Sequence, residues 1–191
     1  MIRKKKVFLL LALSAGSLAM HGQIIGVKTD VLSDALLLSP NLGVEVSVGP
    51  RLTLDLTAHY NPFSTGDTKR WKHWMVRPEL RYWLCQPFSG HFFGVHAFGG
   101  EYNVANKKFL FGVYDIKEMR SEGWGAGAGL TYGYHWIVAP RWGVEASIGV
   151  GGAYTKYNQY SCTHCGEKLG SDHKWYLGPT KASVSLIYMI R

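Results

Sequence analysis

From Leu52 to Tyr60 the chain reads Leu-Thr-Leu-Asp-Leu-Thr-Ala-His-Tyr, apolar and polar in strict alternation. Side chains on an extended strand point to opposite faces in turn, so this segment has one apolar and one polar face. The pattern recurs. Leu42, Val44, Val46 and Val48 alternate with Asn41, Gly43, Glu45 and Ser47, and Trp142, Val144, Ala146, Ile148 and Val150 with Gly143, Glu145, Ser147 and Gly149. Trp124, Ala126, Ala128, Leu130, Tyr132, Tyr134 and Trp136 alternate with glycines, Thr131 and His135. Eight such segments cover roughly 24–32, 41–49, 51–60, 72–85, 91–103, 123–138, 141–157 and 174–190. Composition agrees with an all-β chain: 23 glycines, 14% aromatic residues, and only 18% charged residues, below the quarter or so usual for soluble domains.

The connections alternate in length. Gly49-Pro50-Arg51, Gln86 to Gly90 and Ala139-Pro140-Arg141 are short, whereas Asn61 to Arg70, Val104 to Glu122 and Asn158 to His173 are long. Outer-membrane barrels have short periplasmic turns and long external loops. With the N-terminus inside, every short turn falls on the inner side and every long loop on the outer. The stretch from Ser33 to Pro40 should also be an external loop, although Leu36, Leu37 and Leu38 make it apolar.

Aromatic spacing assigns the faces. On the apolar parity Trp124 and Trp136, Trp142 and Tyr154, and Tyr176 and Tyr188 are each 12 residues apart, about 28 Å at ~3.3 Å per residue and a tilt near 45°. Tyr60 and Trp74 fit the outer edge, Tyr82 and Phe93 the inner. An apolar band about 25 Å tall between aromatic girdles is what a lipid-facing wall requires. The expected fold is therefore an antiparallel up-and-down transmembrane β-barrel of about eight strands, with outer-membrane lipid as its surroundings. The other parity carries Lys28, Asp30, Glu45, Asp55, Arg77, Glu79, Arg81, Glu145 and Lys181. In a barrel of this size side chains fill the interior, so these nine are expected to form a polar network there. A soluble secreted lipocalin-like binding barrel has the same alternation with its faces exchanged.

The first residues set the compartment. Arg3, Lys4, Lys5 and Lys6 precede the apolar run Val7 to Ala15, and the small residues Gly16, Ser17 and Ala19 follow. This is the layout of a secretory signal peptide. Cleavage is expected after Ala19 or after Gly22. The domain division is 1–22 signal peptide and 23–191 barrel. Four of the basic residues lie in the leader, so the net charge of +8 falls to +4 without it. Nucleic acid is not an expected partner, because recognition needs lysines and arginines clustered on one face.

No constellation satisfies the geometry of a catalytic or metal centre, so no catalytic residue, cofactor or metal is expected. Cys162 and Cys165 form a Cys-x-x-Cys pair in the last long loop. Structural zinc needs four ligands, and here only His164 and His173 are near. A local disulfide is the reading for an oxidising exterior. Cys85 lies at the opposite end of a strand and is expected to be a free thiol. A lipid-modifying barrel enzyme would need a serine or threonine, a histidine and a carboxylate together at one membrane edge. Ser171, Asp172 and His173 are consecutive, so neighbours face opposite ways, and the pair Asp55 and His59 points inward. The glycines at 94, 99, 100, 125, 127 and 129 precede no helix and are not a phosphate cradle.

Two stretches carry a resemblance: Gly26-Val27-Lys28-Thr29-Asp30 with Pro40-Asn41-Leu42-Gly43-Val44-Glu45, and Arg77-Pro78-Glu79-Leu80-Arg81-Tyr82-Trp83. Together they resemble a family of short Gram-negative secreted proteins catalogued as a domain of unknown function, several of which sit beside fimbrial gene clusters. More loosely the chain is similar to the eight-stranded barrel of outer-membrane protein A. The resemblance implies a small outer-membrane barrel and supplies no catalytic residue. The functional expectation is a monomeric, non-enzymatic barrel with a plugged interior, presenting loops for structural roles or for contact with surface or fimbrial proteins.

Overall fold

The structure, a computed structural model, describes residues 24–37, 39–62, 64–65, 69–105, 108–109, 114–115, 120–160 and 168–190. Eight long strands build the wall: β1 (Ile25–Asp30), β2 (Asn41–Ser47), β3 (Leu52–Asn61), β4 (Lys69–Trp83), β5 (Gly90–Ala105), β6 (Arg120–Ala139), β7 (Trp142–Tyr160) and β8 (Lys168–Ile190). Each pairs antiparallel with its sequence neighbours, and β1 pairs with β8, which closes the sheet. Two-residue strands at Ser64–Thr65, Lys108–Phe109 and Tyr114–Asp115 lie at the long-loop end.

The register fixes the shape. Gly26 pairs with Glu45, Glu45 with Asp55, Asp55 with Glu79 and Glu79 with His96; the row continues through Gly129 and Gly151 to Gly178. Across the closing seam, however, Gly26 pairs with Met189. Gly178 and Met189 are 11 residues apart on β8, and one of these is Thr180, a bulge residue that the ladder skips. One circuit thus shifts the register by ten residues, which for eight strands means a tilt of roughly 40–45° and a bore only wide enough for side chains.

The wall is apolar outside. Leu130 is 63% exposed, Ile148 59% and Val95 58%. The opposite parity is buried and polar, with Glu45, Arg81 and Glu145 at 0%. This is the sense that the aromatic spacing predicts. At the short-turn end Phe93 packs on Tyr132 and Trp142 on Tyr188, with ring centroids 5.3 and 5.0 Å apart. At the long-loop end Tyr154 packs between Trp124 (5.9 Å) and Trp175 (5.2 Å).

Three expectations need correction. The bulge at Thr180 reverses the parity of β8, so Trp175 joins the outer ring opposite Tyr154, and Tyr176, paired with the inward Ala153, turns to the lumen side. A bulge adds one residue to one strand, and every side chain beyond it changes face. The first strand also stops early. A short helix, α1 (Val31–Leu37), follows Asp30, where an external loop was expected. Asp30 caps it, its carboxylate accepting from the Leu32 backbone N–H at 3.2 Å, a donor that a helix start leaves orphaned, and from the Ser33 hydroxyl at 2.6 Å. Finally, Gln86–Gly90 is more than a turn. Phe88 adopts a left-handed φ of 61° and is buried in the barrel.

Candidate functional site

The lumen is held by one connected set of ion pairs at mid-height. Arg81 on β4 lies 2.7 Å from Glu45, 3.1 Å from Glu79, 2.9 Å from Glu145 and 3.7 Å from Asp55. Lys28 bridges Glu45 (3.3 Å) and Asp55, and Lys181 meets Glu79 at 2.6 Å. Seven of the nine residues expected inside therefore form a single network. The other two face the lumen but do different work. Asp30 caps α1 and accepts from the Val184 N–H at 3.1 Å. The Arg77 guanidinium turns toward the Met75 sulfur, 4.0 Å away, and its Nε has no protein acceptor. Buried charge is costly unless paired and hydrogen-bonded, which explains why four carboxylates gather round one guanidinium.

The opposite wall makes room for these side chains. In the row from Gly26 to Gly178, the charged residues and His96 occupy β2 to β5 and glycines occupy β6, β7, β8 and β1. A Cβ at Gly94 would stand 2.6 Å from the Glu79 carboxylate, and one at Gly129 2.8 Å from the His96 ring. His96 spans the bore: its Nδ1 is 2.8 Å from the Thr131 hydroxyl and its Nε2 is 3.0 Å from that of Thr180. The β8 bulge is what brings Thr180 inward. Space left among Lys28, Asp30, His59, Arg77 and Lys181 is about 10 Å³, no more than a water's worth.

Below the ion pairs lies an apolar plug that the parity argument missed. Trp83, Phe88 and Phe92 are fully buried at the short-turn end, with Trp83 4.8 Å from Phe92 and 6.0 Å from Phe88. Ile187 and Met189 join Phe88 there. The plug couples to the network. Trp83 Nε1 donates to the Thr53 hydroxyl (2.9 Å), which donates to Glu45 (2.5 Å), and Arg81 sits 4.5 Å over the Phe92 ring. The doublets Tyr82-Trp83 and Phe92-Phe93 carry the missed signal, because adjacent aromatics on a strand force one of each pair inside.

The outer mouth is open. A cavity of about 650 Å³ is lined among others by Asn61, Lys72, His73, Tyr102, Lys156 and Tyr157. Ser39, just after α1, places its hydroxyl 2.8 Å from His73 Nε2. At the rim Trp74 Nε1 donates to Glu101 at 3.1 Å.

Of the residues weighed for chemistry, Asp55 contacts Lys28 and Arg81 and accepts from the Thr57 hydroxyl at 2.9 Å, while His59 is buried with its Nε2 lacking a protein partner. His173 is exposed beside Tyr154, 6.0 Å between rings. Cys85 is an exposed free thiol. Cys162 and Cys165 lie outside the described residues, as does the leader sequence.

Fold and interior together define a small closed up-and-down β-barrel with an apolar exterior and a filled, charge-paired lumen. No match was found among curated proteins or among solved structures. A family profile does match residues 7–190, and the chain belongs to that family, described as Protein of unknown function (DUF3575).

Proposed function

We propose that this protein is a monomeric, non-enzymatic outer-membrane barrel, secreted with a cleaved signal peptide, whose plugged body anchors external loops for structural or surface-interaction roles. Contact with fimbrial components is the partner class that the family resemblance suggests. The observation that carries the reading is the inverted distribution of polarity. Exposed Leu54, Leu56, Leu130, Ile148 and Val150 cover the outside, and aromatic residues stand at both ends of this belt. A wall of this kind exposed to water would leave a contiguous apolar surface far above the few hundred Å² that soluble monomers tolerate. In lipid it costs nothing, and a closed barrel satisfies its backbone internally. A soluble lipocalin-like barrel would need the opposite sense.

The test is which face meets lipid. A fluorophore attached to the new thiol of the Leu54→Cys variant, in a Cys85→Ser background reconstituted in liposomes, should be quenched by a lipid-borne quencher. The same label should escape a water-soluble quencher. Absence of lipid quenching in protein that still shows a heat-modifiable gel band overturns the reading.

A further inference from the structure

The small lumenal space of about 10 Å³ is lined among others by Asp30, Thr57, His59 and Arg77. Two of these residues carry a buried polar atom with no protein partner, His59 Nε2 and Arg77 Nε. His59 is only 5% exposed. The register sets the two side by side. Arg77 on β4 pairs with Thr57 on β3, and His59 is the next inward residue of β3 toward the mouth, so they are diagonal neighbours on the lumenal face. They do not bond each other, and burial keeps both atoms from bulk solvent. Buried polar groups are nearly always satisfied, by protein or by ordered water.

Size and chemistry together select the occupant. A space of about 10 Å³ is roughly one probe sphere, enough for a single water and for nothing larger. The Arg77 Nε–H can only donate, so the occupant must accept. The Thr57 hydroxyl gives its proton to the Asp55 carboxylate at 2.9 Å, which leaves its oxygen lone pairs to accept, so the occupant must also donate. His59 Nε2 takes either role according to its tautomer. An anion could accept from Arg77 but has nothing to donate, and the Asp30 and Glu145 carboxylates line the same space. A metal cation would meet the Arg77 guanidinium and the Lys181 ammonium there. Water alone both accepts and donates without charge, and about three hydrogen bonds is the usual number for a buried one.

We propose that the lumen has a binding site for one ordered water, which accepts from Arg77 Nε, donates to the Thr57 oxygen and is hydrogen-bonded to His59 Nε2. The water ties β3 to β4 by side chains on the mouth side of the Arg81 cluster and satisfies both orphaned atoms. It extends the polar filling of the bore one layer outward. The site does not depend on whether the apolar belt meets lipid.

Full-length protein with isotope-labelled histidine, folded in zwitterionic detergent, is measured by water-selective NOE and ROE spectroscopy. The carbon-bound Hδ2 and Hε1 flank Nε2 and do not exchange with solvent during the measurement, so a cross-peak from water to them reports a neighbouring water molecule. Loss of signals in His59→Gln assigns the ring. The expected result is a water cross-peak at the His59 ring, opposite in sign between the two spectra, the mark of a water that tumbles with the protein. Arg77→Met and Thr57→Val should each abolish it, and Thr57→Ser should retain it. Heat modifiability reports folding, and if Arg77→Met does not fold the Thr57→Val and Thr57→Ser pair decides. A crystal structure should show a density peak about 2.7–3.2 Å from both Arg77 Nε and His59 Nε2. No cross-peak in the unmodified protein, a cross-peak unchanged in folded Arg77→Met or Thr57→Val, or density without that peak overturns the proposal.

Discussion

The Arg81 guanidinium on β4 lies 2.9 Å from the Glu145 carboxylate on β7, across the lumen and 64 positions away in sequence. These strands share no ladder, so the contact braces the barrel internally where backbone bonds cannot. The same guanidinium gathers Glu45, Glu79 and Asp55, which would otherwise repel one another in a confined, poorly hydrated space.

Removing that cation should therefore be severe. Arg81→Met leaves four carboxylates with only Lys28 and Lys181 nearby, and loss of one partner of a buried ion pair costs about 3–5 kcal/mol. Arg81→Lys keeps the charge and loses the fork that reaches several carboxylates, so it should fall between. Urea unfolding of the reconstituted protein measures both.

The glycine wall makes a separate prediction. Gly94→Val places a branched side chain against Glu79, whose carboxylate already lies 2.6 Å from an ideal Cβ. Overpacking of this kind costs about 1–3 kcal/mol. Gly99→Ala, on the outer parity with its nearest neighbour 3.8 Å away, should be nearly silent. The two midpoints in urea should separate accordingly, and equal effects would mean that the lumen yields more than its packing indicates.

The bore holds two stacked obstructions, the ion pairs and the Trp83, Phe88 and Phe92 cluster. Purified protein should give no regular conductance steps in planar bilayers. Phe88→Ala opens only the lower obstruction and should also stay silent, because the charged layer above it leaves about 10 Å³ free. Regular steps from the unmodified protein would contradict a filled lumen.

The thiols should be distinguishable. Cys85, exposed and free, should react with maleimide in folded protein. A disulfide between Cys162 and Cys165 would appear as a peptide two hydrogens lighter before reduction; two free thiols with stoichiometric zinc would instead reveal a metal site.

Much of this architecture is written in local sequence. Alternation between Leu52 and Tyr60, or between Trp142 and Val150, sets strand and face together because the period of a strand is two. The short connections at Gly49 and Ala139 set antiparallel neighbours, and charges on one parity from Lys28 to Lys181 had to share an interior. Which carboxylate meets which cation was not legible. Arg81 finds Glu145, and Lys181 finds Glu79 102 positions away, only because the register shift round the barrel brings β4, β7 and β8 to matching heights. Nor could alternation show that Thr180 is a bulge, which sends Trp175 outward and Tyr176 inward. It could not show that Phe88 turns back into the bore, or that Arg77 turns toward the Met75 sulfur while Arg81, four residues on, is enclosed by carboxylates. Parity is a property of one strand and can be read from it; closure, shear and the pairing of charges across a lumen belong to all eight strands at once, and only the tertiary structure decides them.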